Sequence, residues 1–376
     1  MFRLSHFLRE LDQPSPVGPR RDPKGPVVIW NLVRRCNLSC RHCYSASTDK
    51  DFEGELTTAE IVEVMGDLRR FGVPALILSG GEPLLRPDLF ELTAEAKRLG
   101  FPSVALSTNG TLIDAAMADR IARARFDYVG ISVDGIGAVH DTFRGRVGAY
   151  DEALSGIRLC AERGIKVGLR FTMTRDNAAH LNPILVMLRA EKVGKFYLSH
   201  LNYAGRGNHN RGEDADSLLT RKAMDHLFAV AKHTPDVEFV TGNNDADGVY
   251  FLKWVEENYP EHAGHIRAKL VQWGGNASGR NVANIDNLGW VHPDTMWWHR
   301  RLGNVRQRPF SEIWSDVSDP LMAGLKQHPR TLSGRCGSCA HLLLCNGNSR
   351  VRAESIHKDC WAEDPGCYLT DQEIAA

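Results

Sequence analysis

The residues best suited to chemistry in this sequence are three cysteines on one short segment. Cys36, Cys40 and Cys43 lie within eight residues and follow the apolar run 27–33. A wrapping loop with this spacing can present three thiolates to one iron–sulfur cubane, whereas a structural zinc site usually takes its ligands as two separated pairs. Three thiolates leave the fourth iron of a cubane free for a small chelating molecule. The spacing therefore predicts a cluster with one open coordination position.

Buried free cysteine is a common core residue, which is the competing interpretation of these three thiols. Their neighbours argue against it, because the same segment carries Arg34, Arg35, Arg41 and His42. Such polarity is typical of a loop at a site and not of a packed core.

A second group of thiols lies near the carboxyl terminus. Cys336, Cys339 and Cys345 are spaced as a further metal constellation, and Cys360 and Cys367 follow. From spacing alone a zinc knuckle is an open alternative to an iron–sulfur cluster. For the fourth ligand we favour Cys367 over Cys360, because it follows a turn at residues 364–366 that can aim it inward. Cys160 falls within a predicted amphipathic helix and is expected in the core.

Composition excludes several classes of protein. The chain has 376 residues with 46 basic and 46 acidic side chains, so no overall field favours nucleic acid or a membrane surface. We see no signal peptide and no apolar run of transmembrane length, and we expect neither nucleic acid nor membrane as a partner. Nine cysteines without an export signal indicate metal chemistry in a reducing compartment, and we expect the cytoplasm.

The elements that must position these residues alternate between short apolar strands and amphipathic helices. The pattern predicts an α/β fold with a parallel sheet, and six strand–helix units are too few for a closed barrel. We therefore predict an open, partial (β/α)6 barrel of the TIM type with its chemistry at the carboxyl ends of the strands. The predicted strands are 27–33, 75–79, 103–107, 128–133, 166–172 and 195–201. One predicted helix begins at Thr57, and the other predicted helices span 87–99, 114–124, 151–163, 178–190 and 217–233.

Polar loops follow several of these strands. The second strand ends in Ser79-Gly80-Gly81-Glu82-Pro83, where paired glycines allow the backbone to approach a ligand closely. Further hydroxyl, amide and carboxylate groups follow the third and fourth strands, namely Ser107, Asn109, Ser132 and Asp134. Taken singly, each is also a common turn or helix-cap residue.

The three-cysteine loop, with Gly-Gly-Glu-Pro one strand–helix unit later, resembles the radical SAM superfamily. The resemblance implies a [4Fe–4S] cluster on Cys36, Cys40 and Cys43, with S-adenosylmethionine (SAM) bound to its open iron. It also implies that SAM is split to methionine and a 5′-deoxyadenosyl radical. The implied cofactor-binding residues are His42, Tyr44, Gly80, Gly81, Glu82, Pro83, Ser107, Asn109, Ser132, Asp134, Arg144 and Arg170.

The carboxyl-terminal cysteines resemble the SPASM/Twitch extensions of that superfamily, which bind auxiliary [4Fe–4S] clusters. Five cysteines are too few for the two-cluster form, so the resemblance implies one auxiliary cluster on Cys336, Cys339, Cys345 and Cys367. We expect an amino-terminal arm (1–26), a radical SAM partial barrel (27–235) and a smaller iron–sulfur domain preceded by linker helices (236–376).

The segments 289–294, 345–353 and 364–370 resemble the tetrapyrrole-modifying branch, and most closely the NirJ-type family of heme d1 biosynthesis. That resemblance implies removal of propionate side chains from 12,18-didecarboxysiroheme, with an external one-electron donor such as flavodoxin or ferredoxin. Alternatives are a heme synthase that oxidatively decarboxylates iron-coproporphyrin propionates and a SPASM enzyme that matures a peptide. A noncatalytic iron–sulfur scaffold or electron carrier is the alternative of a different class.

A tetrapyrrole with several carboxylates needs cations and a broad apolar slot. The predicted substrate residues are His200, Tyr203, Arg206, His209 and Arg301, and one of the histidines is a candidate ligand of the substrate's iron. Residues 297–300 are a flanking set that could equally form a packed edge of the second domain.

Overall fold

One continuous sheet organises the molecule. The structure is a computed structural model and describes residues 1–18 and 24–375. The sheet has ten strands in the order β10-β9-β8-β1-β2-β3-β4-β5-β6-β7. The strands are β1 (Val27–Asn31), β2 (Ala75–Ser79), β3 (Ser103–Thr108), β4 (Tyr128–Ser132), β5 (Val167–Met173), β6 (Lys195–His200), β7 (Glu238–Gly242), β8 (Val282–Ile285), β9 (Trp290–His292) and β10 (Gly303–Asn304).

The six predicted strands are confirmed as β1 to β6, which pair in parallel and in chain order. Strands β7 to β10 are additional: β7 pairs in parallel with β6, β8 pairs in parallel with β1, and β9 and β10 complete that edge antiparallel. The α/β partial barrel is therefore confirmed, with both edges longer than predicted. The domain division at residue 236 stays a prediction.

Helices cover the sheet and build the carboxyl-terminal region. They are α1 (Leu4–Asp12), α2 (Thr58–Phe71), α3 (Leu89–Arg98), α4 (Ala115–Ala124), α5 (Ala138–Arg144), α6 (Ala149–Glu162), α7 (Leu181–Ala190), α8 (Gly205–His209), α9 (Ser217–Lys232), α10 (Ala246–Asn258), α11 (Ala263–Trp273), α12 (Phe310–Ser315), α13 (Pro320–Leu325), α14 (Gly334–Gly337), α15 (Leu342–Cys345), α16 (Arg350–His357) and α17 (Asp371–Ala375). Among the described helices, none is long and apolar enough to cross a bilayer.

Helix α2 shows how local sequence signals fix an element. Thr57 accepts a hydrogen bond from the amide of Glu60, and the Glu60 carboxylate accepts one from the Thr57 amide, which is a capping box. Gly72 ends the helix in the left-handed conformation. The face that carries Ile61 and Met65 is buried against the sheet, as the sequence predicts.

The amino-terminal arm is partly a helix. In α1, the side chains of Leu4, Phe7, Leu8 and Leu11 are buried at helical spacing, and Phe2 pairs with Thr241 beside β7. The predicted arm over 1–26 therefore contains a helix, and the apolar stripe of that helix packs onto the barrel. Residues 19–23 of the predicted arm lie outside the described part of the chain.

The segment after β6 is compact. It forms α8 and a 3-10 turn at Arg211–Glu213. Tight contact explains the compactness, because a Cβ on Gly205 would lie 2.3 Å from the carbonyl oxygen of Tyr44. The segment is therefore pressed against the cysteine loop.

Candidate functional site

The thiols of Cys36, Cys40 and Cys43 line a cavity of about 260 Å³ at the carboxyl ends of the parallel strands. This is the position in which α/β barrels carry their sites. The cavity continues along the inner faces of the strands towards β8 and opens to solvent.

The cysteine loop is held by an arginine from α8. Arg206 donates from Nε to the carbonyl oxygen of Cys40 (2.7 Å) and from Nη1 to that of Ser47 (2.8 Å), and its side chain lines the cavity. The amide of Cys36 donates to the carbonyl oxygen of Thr48 at 3.1 Å. Arg206 was predicted as a substrate residue, and its hydrogen bonds also make it a brace of the loop.

A buried ion pair supports the loop from the other side. Arg144 forms a salt bridge with the fully buried Asp134 and donates from Nη1 to the sulfur of Cys40 at 3.6 Å. Asp134 also accepts the amide of Thr172 at 2.7 Å, and burial raises its pKa in spite of Arg144. Arg144 lines the cavity, whereas Asp134 lies behind it. Asp134 therefore holds Arg144 in place from behind the cavity wall, and its predicted cofactor contact stays a prediction.

The Gly-Gly-Glu-Pro turn packs onto the start of the cysteine loop. The amide of Gly81 donates to Val33 O (2.7 Å) and that of Glu82 donates to Arg35 O (2.9 Å). A Cβ on Gly81 would lie 2.3 Å from Arg35 O, so only glycine fits there. Gly80 and Gly81 line the cavity, and Glu82 and Pro83 do not.

Glu82 organises the turn from within. Its carboxyl group accepts hydrogen bonds from Thr108 Oγ1 (2.7 Å), Asn109 N (2.8 Å) and Leu84 N (3.1 Å). Burial raises its pKa to about 7 in spite of these donors. Glu82 therefore ties the loops after β2 and β3 together from outside the cavity lining, and its predicted cofactor contact stays a prediction.

We expect Gly81→Ala to damage the cofactor site and Gly194→Ala to leave it intact. The added methyl group at position 81 must displace the cysteine loop, whereas a Cβ on Gly194 meets nothing within 4 Å. Overpacking of this kind costs about 1–3 kcal/mol, so we predict roughly tenfold weaker SAM binding for Gly81→Ala. Calorimetry on anaerobically reconstituted protein measures this, and unchanged SAM affinity in Gly81→Ala would contradict the contact.

Six further residues that were predicted to bind the cofactor line the same cavity: His42, Tyr44, Ser107, Asn109, Ser132 and Arg170. The His42 ring stacks on Phe143 at 4.6 Å, and burial lowers its pKa well below the usual value, so His42 is neutral. The Tyr44 hydroxyl accepts a hydrogen bond from Asn31 Nδ2 at 2.8 Å. Arg170 donates to Ser107 Oγ and keeps further donors for an anionic group.

Four of the five predicted substrate residues lie outside the cavity. His200 is bound to Asp247 Oδ2 (3.0 Å), and Tyr203 donates to Asp214 Oδ2 (3.0 Å). His209 is exposed on α8, and the exposed Arg301 stacks on Trp290 at 4.7 Å. These four side chains do not line the cavity, and their direct contact with substrate stays a prediction.

The flanking set 297–300 forms a packed edge. Trp297 Nε1, His299 Nε2 and Arg300 all donate to the carboxylate of Glu354 on α16. Trp297 is fully buried. This run therefore joins the β9–β10 connection to the carboxyl-terminal helices, as the alternative interpretation had it.

A polar wall opposite the cysteine loop was missed from sequence. Its members line the cavity and come from the loop after β7, the turn before β8 and the loop after β9: Asn243, Asp245, Asn276, Ser278 and Asp294. The same rule that selected Ser107 and Ser132 would have found them, because they too follow or precede strands. The short strands beside them gave too weak a pattern.

The second group of thiols gathers around α14 and α15. Burial raises the pKa of Cys345 well above its usual value, and the neighbouring thiols of Cys367, Cys336 and Cys339 raise it further. Cys360 instead has Glu354 and Arg300 as its charged neighbours. Four thiols therefore share one site, and Cys360 stands apart from it.

Backbone amides point at the sulfurs of both groups. His341 N donates to Cys339 Sγ at 3.4 Å, and the amides of Gly347 and Leu369 donate to Cys345 and Cys367. Such hydrogen bonds stabilise the thiolate form that ligates iron. They offset the effect of burial, which without a nearby cation favours the protonated thiol. Both groups therefore have the donor set that an iron–sulfur cluster requires.

Over residues 1–18 and 24–375, no three His, Cys, Asp or Glu side chains gather closely around one point fit for a single ion. The ligands of a cubane lie farther apart than those of a single ion, because each thiolate binds a different iron.

Comparison with known proteins agrees with this geometry. The Radical SAM superfamily signature matches residues 30–185. The chain is 57% identical over 379 residues to the pre-heme d1 synthase of Dinoroseobacter shibae, covering 99% of this chain and 93% of that protein. It is 45% identical over 359 residues to the Fe-coproporphyrin III synthase of Methanosarcina barkeri, covering 93% and 90%.

A solved structure gives the same fold. The Streptococcus suis SuiB structure with bound precursor peptide SuiA superposes with a TM-score of 0.74 over 92% of this chain and 76% of that one, at 17% identity. The cysteine loop, the glycine turn against it and the full-length likeness to the Dinoroseobacter protein show that this chain belongs to the radical SAM superfamily.

Proposed function

We propose that this protein is a pre-heme d1 synthase that removes propionate side chains from 12,18-didecarboxysiroheme. The observation that carries the proposal is the 57% identity to a protein of that name over 99% of the chain. The aligned region spans the cavity walls as well as the cluster loop, so the likeness bears on more than the fold.

The residues that would hold the cofactors are those around the cavity. Cys36, Cys40 and Cys43 would bind a [4Fe–4S] cluster, and the backbone of Gly80 and Gly81 would meet SAM. When bound, these groups supply the one-electron cleavage of SAM that starts hydrogen abstraction. Arg170 would bind the methionyl carboxylate and the neutral ring of His42 would pack against the adenine; the donors left on Arg170 and the position of both residues on the cavity lining support this.

A second [4Fe–4S] cluster on Cys336, Cys339, Cys345 and Cys367 is part of the proposal. Its support is the mutual proximity of the four thiols and the amides aimed at them. An auxiliary cluster there would take up or deliver the electron that resolves a substrate radical. We infer further that an external donor such as flavodoxin or ferredoxin supplies the starting electron, and that the nine free thiols fit a reducing cytoplasm.

The alternatives differ in what they need from the cavity. A noncatalytic iron–sulfur carrier has no use for Gly80 and Gly81 pressed against a cluster loop, or for a polar wall opposite it. Fe-coproporphyrin III synthase activity is the second candidate, since that relative is 45% identical over 93% of the chain.

Product mass distinguishes the candidates. In anaerobic incubation with SAM and dithionite, we expect 12,18-didecarboxysiroheme to lose propionate side chains and iron-coproporphyrin to remain unchanged. Conversion of didecarboxysiroheme to iron-coproporphyrin would assign the activity of the second relative instead. Decarboxylation of added iron-coproporphyrin would assign a heme synthase.

A further inference from the structure

The polar wall of the cavity contacts the second group of thiols on its outer side. In the turn before β8, the amide of Asn276 donates to the carbonyl oxygen of Cys345 at 2.9 Å. A Cβ on the preceding Gly275 would lie 2.2 Å from the carbonyl carbon of Cys345. This part of the wall is therefore in direct backbone contact with one of the four clustered cysteines.

The loop 243–245 after β7 is held by the same region. Two of its residues, Asn243 and Asp245, line the cavity. Each of the three residues in the loop is hydrogen-bonded to a group that lies close in sequence to Cys345 or Cys367: Arg352 Nη1 donates to Asn243 O (2.7 Å), Asn244 Nδ2 donates to Gly366 O (2.9 Å) and Asp245 N donates to Asn348 Oδ1 (2.6 Å). The loop therefore has its conformation fixed by the segments that carry the thiols.

Asn348 makes the central contact in this arrangement. It is 1% exposed, its φ is +57°, and its amide donates to the carbonyl oxygen of Cys345 at 3.3 Å. Its side chain is paired at both ends, because Oδ1 accepts from Asp245 N and Nδ2 donates to Asn244 Oδ1, each at 2.6 Å. A buried amide with both ends paired holds a single geometry. A shift of the Cys345 backbone is therefore passed on to the loop.

The wall is the surface of the cavity that is left for the substrate. The cysteine loop and the pair Gly80–Gly81, which would hold the first cluster and SAM, lie on the other side. We propose that Asn348 is a positioning residue that couples the second group of thiols to substrate binding. With metal bound to those thiols, Asn348 holds the loop 243–245 in the geometry that receives the tetrapyrrole. This inference rests on the proposed function and adds a part in substrate binding to the electron exchange proposed there.

Glycine at position 348 tests this role. It accepts the left-handed backbone and removes both side-chain hydrogen bonds. We expect Asn348→Gly to weaken 12,18-didecarboxysiroheme binding roughly fivefold or more, with SAM affinity and the auxiliary [4Fe–4S] signal unchanged. An absorbance titration of the tetrapyrrole measures the first quantity without turnover, and calorimetry measures the second. Lys192→Gly, at an exposed position with a φ of +54°, is the matched control.

Asn244→Ala is the second variant, because it breaks the same contact from the side of the loop and leaves Asn348 in place. We expect the same loss of tetrapyrrole affinity. It keeps the test decisive if Asn348→Gly also loses metal.

Removal of the metal site provides an independent measurement. Cys367→Ala should weaken tetrapyrrole binding to a similar extent, and the combined variant with Asn348→Gly should bind no more weakly than either single variant, because both changes break one coupling. A cluster that only exchanges electrons predicts full tetrapyrrole affinity in Cys367→Ala, since binding requires no electron.

Unchanged tetrapyrrole affinity in Asn348→Gly and Asn244→Ala would overturn the inference. Additive losses in the combined variant would also overturn it, because Asn348 and the metal site would then act separately. Equal losses of SAM and tetrapyrrole affinity would reduce Asn348 to a packing role. Failure of the wild-type protein to bind the tetrapyrrole would instead refute the proposed function, and the inference with it.

Discussion

Replacing Cys36, Cys40 and Cys43 together with alanine should abolish the formation of 5′-deoxyadenosine from SAM. The three thiols line the cavity, their loop is braced by Arg206 and Arg144, and a glycine turn meets it from the neighbouring strand. Without them SAM has no open iron to bind. The variant should still hold about half of the iron and sulfide, because the carboxyl-terminal thiols are untouched.

Cys160→Ala is the matched control for this experiment. Cys160 is fully buried in α6 and belongs to neither thiol group, so its removal should leave both iron content and 5′-deoxyadenosine unchanged. Retained 5′-deoxyadenosine in the triple variant would refute the assignment. About one zinc and no residual sulfide in the triple variant would make the carboxyl-terminal site a zinc knuckle.

Cys367→Ala should remove the auxiliary [4Fe–4S] signal, whereas Cys360→Ala should preserve it. Cys367 lies near Cys345 and Cys336, and the amide of Leu369 donates to it, while Cys360 is beside Glu354 and Arg300. Electron paramagnetic resonance of the dithionite-reduced variants, with iron counts, measures the difference. Both variants replace one free cysteine of the carboxyl-terminal region by alanine, so each controls for the loss of a side chain in the other.

The Cys367 variant should still form 5′-deoxyadenosine but convert the tetrapyrrole poorly. The radical on the substrate must gain or lose an electron before product leaves, and in the proposed function the auxiliary cluster exchanges that electron. Full conversion without the auxiliary cluster would leave that cluster a structural element only. The reverse pattern, with Cys360→Ala losing the signal, would reassign the fourth ligand.

Strand alternation explains which site residues could be predicted and which could not. The end of β6 was found correctly, but successive side chains of a strand face opposite sides. Tyr197 and Ser199 therefore line the cavity, and His200 turns away to Asp247. Counting in steps of two would have excluded His200 from sequence alone.

Weak local signals account for the missing strands and helix. Strands β8 to β10 have four, three and two residues, too few for a recognisable pattern, and they form by pairing with β1 and with each other. The apolar stripe of α1 is present in the sequence, but the prolines that follow it led to the prediction of an arm with no helix assigned. Asp294 follows β9, so its place in the wall could not be predicted before that strand was. Asp245 follows β7, which has as many residues as β1, so its place in the wall was within reach of the sequence.

The central claim is that the radical chemistry of this cavity is directed at the propionate side chains of a tetrapyrrole. The most direct measurement uses 12,18-didecarboxysiroheme with deuterium on its propionate methylene carbons, incubated anaerobically with the enzyme, SAM and dithionite. We predict that 5′-deoxyadenosine carries deuterium in proportion to the propionate lost from the tetrapyrrole. Unlabelled 5′-deoxyadenosine together with an unchanged tetrapyrrole mass would contradict the claim.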